Sequence, residues 1–187
     1  MDLSEVVATR ARVEGDLVLV DEFLNHRVDP IIIAEVGRQF ATTFSPYRPD
    51  LILTSEASGI PPAVVCGVEM GLPVVYAKKF LGTGNRYSYW REVMSPTKGV
   101  EYRVEVARRV LPSGARVLVL DDFLSAGRTA EALGQITEEA GAEIVGFGFV
   151  IEKGWRAGRR LLEDHGWVVD SLVRVTSVEG GSIEVAQ

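Results

Sequence analysis

Short apolar runs alternate with helical periodicity along the 187-residue chain. Several runs are continuously apolar, as strands are when both faces of a parallel sheet are covered. The pattern predicts strands over 17–20, 51–54, 74–77, 116–120, 144–151 and 167–175. Strands that alternate with helices favour an α/β fold, in which helices flank an open, mostly parallel sheet with right-handed crossovers.

Four segments between the strands have apolar residues at helical spacing. The first begins at Asp29 and Pro30, an N-cap and a favourable first-turn residue. The apolar stripe of this helix consists of Ile32, Val36, Phe40 and Phe44. The other helices are predicted over about 61–71, 129–140 and 159–165, and a glycine stands at or just after each end, as is common at helix C-termini.

Residues 80–105 interrupt this pattern. The stretch 81–90 is polar, aromatic and glycine-containing, and a long irregular segment inside a compact domain is usually a functional lid or disordered. Alternation at Tyr87 and Tyr89, and at Val104 and Val106, predicts that part of it forms a β-ribbon. Because no repeat or linker interrupts the chain, we expect a single domain over 1–187 with a lid at about 80–105.

The composition is that of an ordinary globular protein, with 47% hydrophobic and 25% charged residues. No apolar run approaches the roughly 18 residues of a membrane helix, so we expect no membrane partner. The acidic N-terminus lacks the layout of a signal peptide. A single cysteine, Cys66, cannot form an internal disulfide, which favours a cytoplasmic location.

The formal net charge of -6 argues against nucleic acid as a partner, because such binding needs excess positive charge. The charge is uneven, however. Residues 78–110 contain eight Lys or Arg and three Glu, so this segment carries +5 and the rest of the chain carries -11. The segment is either a solvated basic loop or a site for a small polyanion.

The strongest chemical signal is the run RVLVLDDFLSAGRT at 116–129. Asp121 and Asp122 follow an apolar strand, and a turn of small residues then leads into a helix. Such a turn directs backbone N–H groups at a phosphate, whereas paired carboxylates suit sugar hydroxyls or hydrated Mg²⁺. The segment therefore suits a sugar diol beside a phosphate monoester, although an ordinary capped strand-to-helix turn is the alternative. It is not a Walker A loop or a dinucleotide fingerprint.

Two further segments are predicted to lie at the same edge of the sheet. Residues 56–59 follow a strand and precede a helix, and small residues there allow backbone amides to approach a second anion. Lys78 and Lys79 end the next strand and could supply compact positive charge. A simple helix-start turn and a pair of solvated lysines are the alternatives.

The run DDFLSAGRT at 121–129 resembles the phosphoribosyl-pyrophosphate (PRPP) signature of the type I phosphoribosyltransferases. Four other segments resemble bacterial xanthine phosphoribosyltransferases: FLNHRVDP at 23–30, TSEASGI at 54–60, PVVYAKK at 73–79 and VIEK at 150–153. The resemblance covers about 17–175 in the expected order. It implies the type I phosphoribosyltransferase fold, a small hood from about 1–30 and 151–187, and a homodimer.

The implied activity is transfer of 5-phosphoribosyl from PRPP to xanthine, giving XMP and pyrophosphate, with Mg²⁺ carried by PRPP and no dedicated metal site. Asp121 and Asp122 match the family's catalytic carboxylates. The residues that match the 5′-phosphate loop are Ser125, Ala126, Gly127, Arg128 and Thr129. Those that match the pyrophosphate site are Ala57, Ser58, Gly59 and Lys79, and those that match the purine site are Val18, Asn25 and Lys153.

The proposed purine contacts are chemically reasonable. Asn25 can both donate and accept hydrogen bonds, and Val18 would act through its backbone. Lys153 could donate to the O6 carbonyl of a 6-oxopurine and would repel the amino group of adenine. The alternatives are a turn or cap role for Asn25 and an ion pair of Lys153 with Glu152 or a surface carboxylate.

The phosphate loop departs from the family pattern. Xanthine enzymes have Ala-Asn-Gly-Gln-Ala at 125–129, whereas Thr129 is closer to the adenine and orotate types and Arg128 adds a charge. Adenine or guanine/hypoxanthine transfer therefore stays an alternative. Ser125 stands where hypoxanthine/guanine enzymes have an aspartate, so we assign no general base.

A protein of another class, a non-catalytic regulator that binds PRPP, is a further alternative. Such regulators usually carry a DNA-binding module, which the net charge and the roughly 16 residues before the first strand disfavour here.

Overall fold

The structure, a computed structural model, describes residues 1–80, 87–94, 101–179 and 181–186. Within these ranges the chain forms five α-helices and ten strands. The helices are α1 Leu3–Arg10, α2 Pro30–Phe44, α3 Ile60–Met70, α4 Arg128–Glu139 and α5 Gly158–Glu163. The strands are β1 Arg12–Glu14, β2 Leu17–Leu19, β3 Leu51–Ser55, β4 Val74–Phe80, β5 Ser88–Met94, β6 Glu101–Ala107, β7 Arg116–Leu124, β8 Glu143–Lys153, β9 Val169–Glu179 and β10 Ser182–Val185.

Eight strands form one sheet in the order β10-β9-β8-β7-β3-β4-β6-β5. Its five central strands, β9 to β4 in this order, are parallel to one another, and antiparallel strands are added at both sides. The short hairpin β1–β2 stands apart. The predicted α/β fold with an open, mostly parallel sheet is therefore confirmed.

Alternate residues of the central strands enter two different cores, because helices cover both faces of the sheet. Ile52 of β3 packs in one core with Phe40 and Phe44 of α2. The next residue, Leu53, packs in the other core with Leu133 of α4. This alternation explains why β3 is buried at all five positions and reads as a continuous apolar run.

All of the predicted strands and helices are present, but several strands run further than their apolar stretch. The strand predicted over 116–120 continues to Leu124, that over 144–151 to Lys153, and that over 74–77 to Phe80. Asp121, Asp122, Lys79 and Lys153 are therefore strand residues and not loop residues. The strand predicted over 167–175 begins later, at Val169, because Trp167 packs on Phe147 instead.

The pattern did not indicate α1, β1 or β10. Helix α1 buries only Leu3 and Val7, so its amphipathic signal is weak, although Asp2 caps it by accepting from the amide of Ser4 at 2.9 Å. It packs against β9 and β10. The grouping of these N- and C-terminal segments as a hood stays a prediction.

The predicted β-ribbon is confirmed. Strands β5 and β6 pair antiparallel, with Tyr89 opposite Val106 and Trp90 opposite Glu105, and β6 extends the main sheet beside β4. The rest of the predicted lid, 81–86 and 95–100, lies outside the described residues. In the described ranges, no helix is long and apolar enough to cross a membrane.

Candidate active site

A cavity opens where β7 ends, at the edge of the sheet that also carries the turn after β3 and the ends of β4 and β8. Ligands of open α/β proteins bind at this edge of the sheet. The cavity is lined by Val93, Met94, Tyr102, Asp121, Phe123, Leu124, Ser125, Ala126, Gly127, Arg128, Thr129 and Ala130. The predicted carboxylate Asp121 and the whole predicted phosphate loop therefore border one space.

The phosphate loop ends in a helix N-terminus without a side-chain cap. Gly127 is the N-cap of α4, with φ +76°, and no side chain accepts from the first amides of the helix. Those amides are free to bind an anion, which the helix dipole also favours. A Cβ at Gly127 would lie 3.0 Å from the Cα of Gly158, and the Gly158 amide donates to the carbonyl of Ser125 at 3.0 Å. Gly158 therefore packs against the phosphate loop and holds it by a hydrogen bond, a role that the sequence around Gly158 did not indicate.

The two aspartates differ in environment because successive strand residues face opposite sides of the sheet. Asp122 is buried, whereas Asp121 is partly exposed to the cavity and accepts from the amide of Asp122 at 3.0 Å. Burial, followed by the charge of Asp122, raises the pKa of Asp121 well above its usual range, and nearby Lys79 offsets this only in part. A ligand that brings positive charge or hydroxyl donors would lower this pKa again, because it favours the ionised form.

The turn after β3 lies directly against Asp121. A Cβ at Gly59 would lie 2.5 Å from Oδ1 of Asp121 and 2.3 Å from Oγ1 of Thr54, so only glycine fits. The peptide bond between Glu56 and Ala57 is cis. The Thr54 hydroxyl is buried and has no hydrogen-bond partner in the structure. The predicted pyrophosphate turn, Ala57 to Gly59, therefore adjoins a predicted catalytic carboxylate.

Lys79 connects β4 to this turn. Its backbone amide donates to Oε1 of Glu56 at 2.6 Å, and its ammonium lies 5.7 Å from the centre of the Tyr102 ring. Lys79 also contributes to the electrostatic environment of Asp121. The structure thus brings Lys79, the turn and Asp121 together, as the sequence predicted.

Tyr102 is a site residue that the sequence reasoning missed. It stands on β6, lines the cavity, and its hydroxyl lies 2.8 Å from Oγ1 of Thr129 in the phosphate loop. The sequence did hold a signal for this residue. Residues 102, 104 and 106 are alternate positions of one strand, so the side chain of Tyr102 lies on the same side of β6 as those of Val104 and Val106. Tyr102 joins the ribbon to both predicted anion-binding segments.

Lys153 is the last residue of β8 and lies near the part of the cavity that Phe123 borders. Its ammonium donates to the backbone carbonyl of Asp16 at 3.0 Å and lies 6.0 Å from the centre of the Phe123 ring, which borders the cavity. Burial and the neighbouring Arg156 lower the pKa of Lys153, while Asp16 opposes the shift. Asp16 lies in the turn of the hairpin that also carries Val18.

The other predicted purine contacts, Val18 and Asn25, lie on different elements. Val18 is buried in the hairpin that Lys153 contacts. Asn25 ends a short π-helical turn, Asp21–Asn25, and its side chain is exposed. The role of both residues in purine binding stays a prediction.

The basic segment 78–110 contributes less free charge to the site than its composition indicated. Arg91 and Arg108 both pair with Glu139, at 2.6 and 3.5 Å. The guanidinium of Arg103 lies 3.8 Å from the centre of the Trp90 ring. Two of its other cations, at positions 86 and 98, fall outside the described residues. Lys79 is the described cation of this segment that reaches Asp121.

Comparison with known proteins gives a consistent result. The model of the phosphoribosyl transferase domain matches residues 20–180. A xanthine phosphoribosyltransferase of Ectopseudomonas mendocina is 41% identical over 97% of this chain and 96% of its own length. One of Pseudomonas aeruginosa is 42% identical over 96% of this chain and 98% of its own. The resemblance expected from the sequence is therefore confirmed.

Solved structures share the fold at low sequence identity. An adenine phosphoribosyltransferase of Rhodothermus marinus superposes with a TM-score of 0.77 at 20% identity, covering 92% of this chain and 98% of its own. An APRTase of Giardia lamblia complexed with 9-deazaadenine gives 0.79 at 18% identity, covering 95% and 99%. With the matched domain and the near full-length relatives, these findings show that the chain belongs to the phosphoribosyl transferase family.

Proposed function

We propose that this protein is a purine phosphoribosyltransferase of purine salvage that transfers 5-phosphoribosyl from PRPP to xanthine. The products would be XMP and pyrophosphate. The observation that carries the proposal is that two predicted anion-binding segments both adjoin Asp121. One is the uncapped N-terminus of α4, and the other is the turn that packs Gly59 against that carboxylate. The names of the near full-length relatives support xanthine as the acceptor.

PRPP carries a 5′-phosphate and a pyrophosphate on one ribose, which matches this arrangement. The loop Ser125 to Thr129 would hold the 5′-phosphate through backbone amides and the hydroxyls of Ser125 and Thr129. Ala57, Ser58 and Gly59 would present amides to the pyrophosphate, and Lys79 would supply its charge. Asp121 and Asp122 would accept hydrogen bonds from the ribose hydroxyls between the two anions.

In the reaction, the bond from ribose C1 to a pyrophosphate oxygen breaks, and a bond from C1 to a purine nitrogen forms. That nitrogen loses its proton to solvent, since no general base is assigned. Positive charge develops on the ribose in between. Carboxylates fixed beside the ribose stabilise that charge, because they need no reorganisation at the moment of reaction. Exclusion of water from the cavity would also favour transfer, because water would otherwise hydrolyse PRPP.

Mg²⁺ fits this site as a companion of PRPP. Asp121 offers carboxylate oxygens of the kind that Mg²⁺ prefers, within a cavity that is open to solvent, and the buried Asp122 follows it in β7. In the part of the chain that the structure describes, no cluster of three or more His, Cys, Asp or Glu side chains could hold a metal ion. When bound with PRPP, Mg²⁺ would supply positive charge to the departing pyrophosphate.

Base choice would depend on the Lys153 end of the site. The ammonium can donate to an O6 carbonyl, which xanthine, guanine and hypoxanthine have, whereas adenine has an amino group there. Phe123 lies beside this ammonium and at the cavity wall, where it could stack on the purine ring. This arrangement favours a 6-oxopurine over adenine.

A panel of initial rates tests the proposal. The purified protein is given PRPP and Mg²⁺ with xanthine, guanine, hypoxanthine or adenine, and pyrophosphate release is measured. We expect xanthine to give the highest kcat/KM. Exclusive use of adenine would contradict the role of Lys153. PRPP binding by calorimetry without turnover of any purine would support a non-catalytic regulator instead.

We also propose that the protein forms a homodimer. Helix α3 exposes Val64 and Val68, and β4 exposes Tyr76 on the side of the sheet where Val74 packs against α3. These side chains are 44%, 76% and 46% exposed, which is unusual for neighbouring large apolar residues. Sedimentation equilibrium of the protein, and of its Val68→Asp variant as the perturbed form, would test this proposal.

A further inference from the structure

The carboxylate of Glu131 connects the phosphate loop to the segment that follows α5. Its Oε2 accepts from Nη1 of Arg128 at 3.3 Å, and its Oε1 lies 3.2 Å from Nε2 of His165. Arg128 is the first residue of α4, and Glu131 stands three positions later, on the same side of the helix. Each oxygen of this carboxylate therefore has its own partner, one in the proposed 5′-phosphate loop and one outside it.

Glu131 is held more firmly than Arg128. The side chain of Glu131 is 18% exposed, whereas that of Arg128 is 59% exposed. On the far side of the carboxylate, the imidazole of His165 stacks on the indole of Trp167, with ring centres 4.3 Å apart. That indole in turn donates to Oε1 of Glu138 at 3.2 Å. Arg128 is therefore the partner with room to move.

Arg128 borders two cavities that share a wall. One is the cavity of the candidate active site, and the other is lined by Arg91, Glu92, Val93, Met94, Arg128, Glu131, Ala132 and Gln135. Val93 and Met94 border both, so the two cavities adjoin along β5, whereas Glu131 lines the second and not the first. Because an arginine side chain has several rotatable bonds, its guanidinium can leave Glu131 and turn towards the loop without a change in the backbone.

An anion in the loop would compete with Glu131 for this guanidinium. Phosphate accepts charge-assisted hydrogen bonds from arginine, as a carboxylate does. Under the proposed function the 5′-phosphate lies at the N-terminus of α4, where Arg128 itself stands. Binding of that phosphate by Arg128 must then break the pair with Glu131, and the lost pair lowers the net affinity.

We propose that Glu131 is a positioning residue that holds Arg128 away from the 5′-phosphate and so limits the affinity of the loop. This inference rests on the proposed function, which assigns that phosphate to the loop. The nucleotide product carries the same 5′-phosphate as PRPP, so Glu131 weakens the binding of both and favours release of the product. The pyrophosphate end of PRPP is unaffected, because it is assigned to the turn after β3.

Calorimetric titration with ribose 5-phosphate tests the inference, because this probe carries the 5′-phosphate without the pyrophosphate. In about 0.15 M salt, which screens longer-range repulsion, Glu131→Gln should bind the probe about two- to five-fold more tightly than the unaltered protein. Its melting temperature should fall, since it loses the contacts with Arg128 and His165 and a favourable charge in the first turn of α4. A merely structural role predicts instead that affinity and stability fall together.

Two further variants assign the effect. Arg128→Gln should weaken the binding of ribose 5-phosphate, and adding Glu131→Gln to it should change that affinity by less than about two-fold. Glu139→Gln is the matched control, because it removes the same charge from the last residue of the same helix, where Glu139 pairs with Arg91 and Arg108. It should leave the affinity for ribose 5-phosphate unchanged.

The inference is overturned if Glu131→Gln does not bind ribose 5-phosphate more tightly, or if Glu139→Gln gains as much. It is also overturned if the gain persists in the Arg128→Gln background, since Glu131 would then act by direct repulsion, or if pyrophosphate gains equally. If the unaltered protein binds neither ribose 5-phosphate nor PRPP, the proposed function fails, and this inference with it. Binding of both by the unaltered protein, with no gain in Glu131→Gln, contradicts the inference alone.

Discussion

Replacing Gly59 with alanine is a sharp perturbation of the site, because the added atom has no free space. Its Cβ would lie 2.3 Å from Oγ1 of Thr54 and 2.5 Å from Oδ1 of Asp121. The backbone at Gly59 has φ -73°, which any residue adopts, so the clash is steric and not conformational. One of the two side chains must move. Thr54 is fully buried, so Asp121, which borders the cavity, is the side chain with room to turn.

The expected magnitude follows from what Asp121 would lose. Forcing a methyl group into a packed site costs about 1–3 kcal/mol in the free protein. A displaced carboxylate also forfeits its hydrogen bonds to the ribose, and a hydrogen bond to a charged group contributes about 1.5–3 kcal/mol. Because about 1.4 kcal/mol corresponds to a factor of ten, PRPP affinity should fall about ten- to hundred-fold in Gly59→Ala.

Gly67→Ala is the matched control for this prediction. Its Cβ would lie 2.7 Å from Cγ2 of Val74 and 2.9 Å from the carbonyl of Leu72, a similar clash inside α3, the helix that Gly59 precedes, but away from the cavity. Calorimetric titration with PRPP and Mg²⁺, with thermal melts of both variants, compares the two. Gly67→Ala should lose stability and retain PRPP affinity. Equal affinity losses in both variants, or none in Gly59→Ala, would refute the packing of the turn against Asp121.

Three other outcomes follow from the site and the core. Tyr102→Phe removes the hydroxyl contact with Thr129 of the phosphate loop and should raise KM for PRPP about two- to ten-fold, because one net hydrogen bond is worth about 0.5–1.5 kcal/mol. The melting temperature should fall by no more than about 2–6 °C. Asp121→Asn should abolish turnover but raise the melting temperature near neutral pH. Because the pKa of this carboxyl is raised in the folded protein, the protonated form stabilises the fold, and this stability is lost as pH rises through that pKa. At about pH 4 and below the carboxyl of the unaltered protein is protonated, so the variant should have no gain in melting temperature there. Burial raises the pKa of Cys66 to about 12, so the thiol should react with a disulfide reagent only after denaturation.

The parts of the site that the sequence predicted are those encoded by contiguous residues. An apolar run, two acids, small residues and a helical stripe follow one another at 116–133, so the strand, the loop and the uncapped helix start can be recognised together. The turn at 56–59 is also encoded by contiguous residues, since it follows an apolar run and precedes a helix. The common edge of the sheet then follows from parallel pairing, in which the carboxyl ends of neighbouring strands coincide.

The parts that it did not predict depend on contacts between distant segments. Tyr102 meets Thr129 because β6 joins the sheet beside β4, and Lys153 meets Asp16 across 137 residues of sequence. The positions at which strands end also depend on contacts between distant segments. Strand β7 continues past its apolar run to Leu124 because Leu124 pairs with Glu152 of β8, and polar residues are tolerated where strands border a cavity.

The net charge of residues 78–110 shows most clearly what the sequence alone does not predict. The +5 of residues 78–110 suggested a cationic cover, yet Arg91 and Arg108 share one glutamate of α4, and Arg128 of the phosphate loop pairs with Glu131. Pairing, which composition does not show, decides how much of a charge reaches a ligand. Under the proposed function, backbone amides at Gly59 and at the start of α4 would therefore carry most of the anion recognition. Fixed dipoles of this kind need no compensating carboxylates, so an acidic protein that uses them could accommodate the proposed polyanionic substrate.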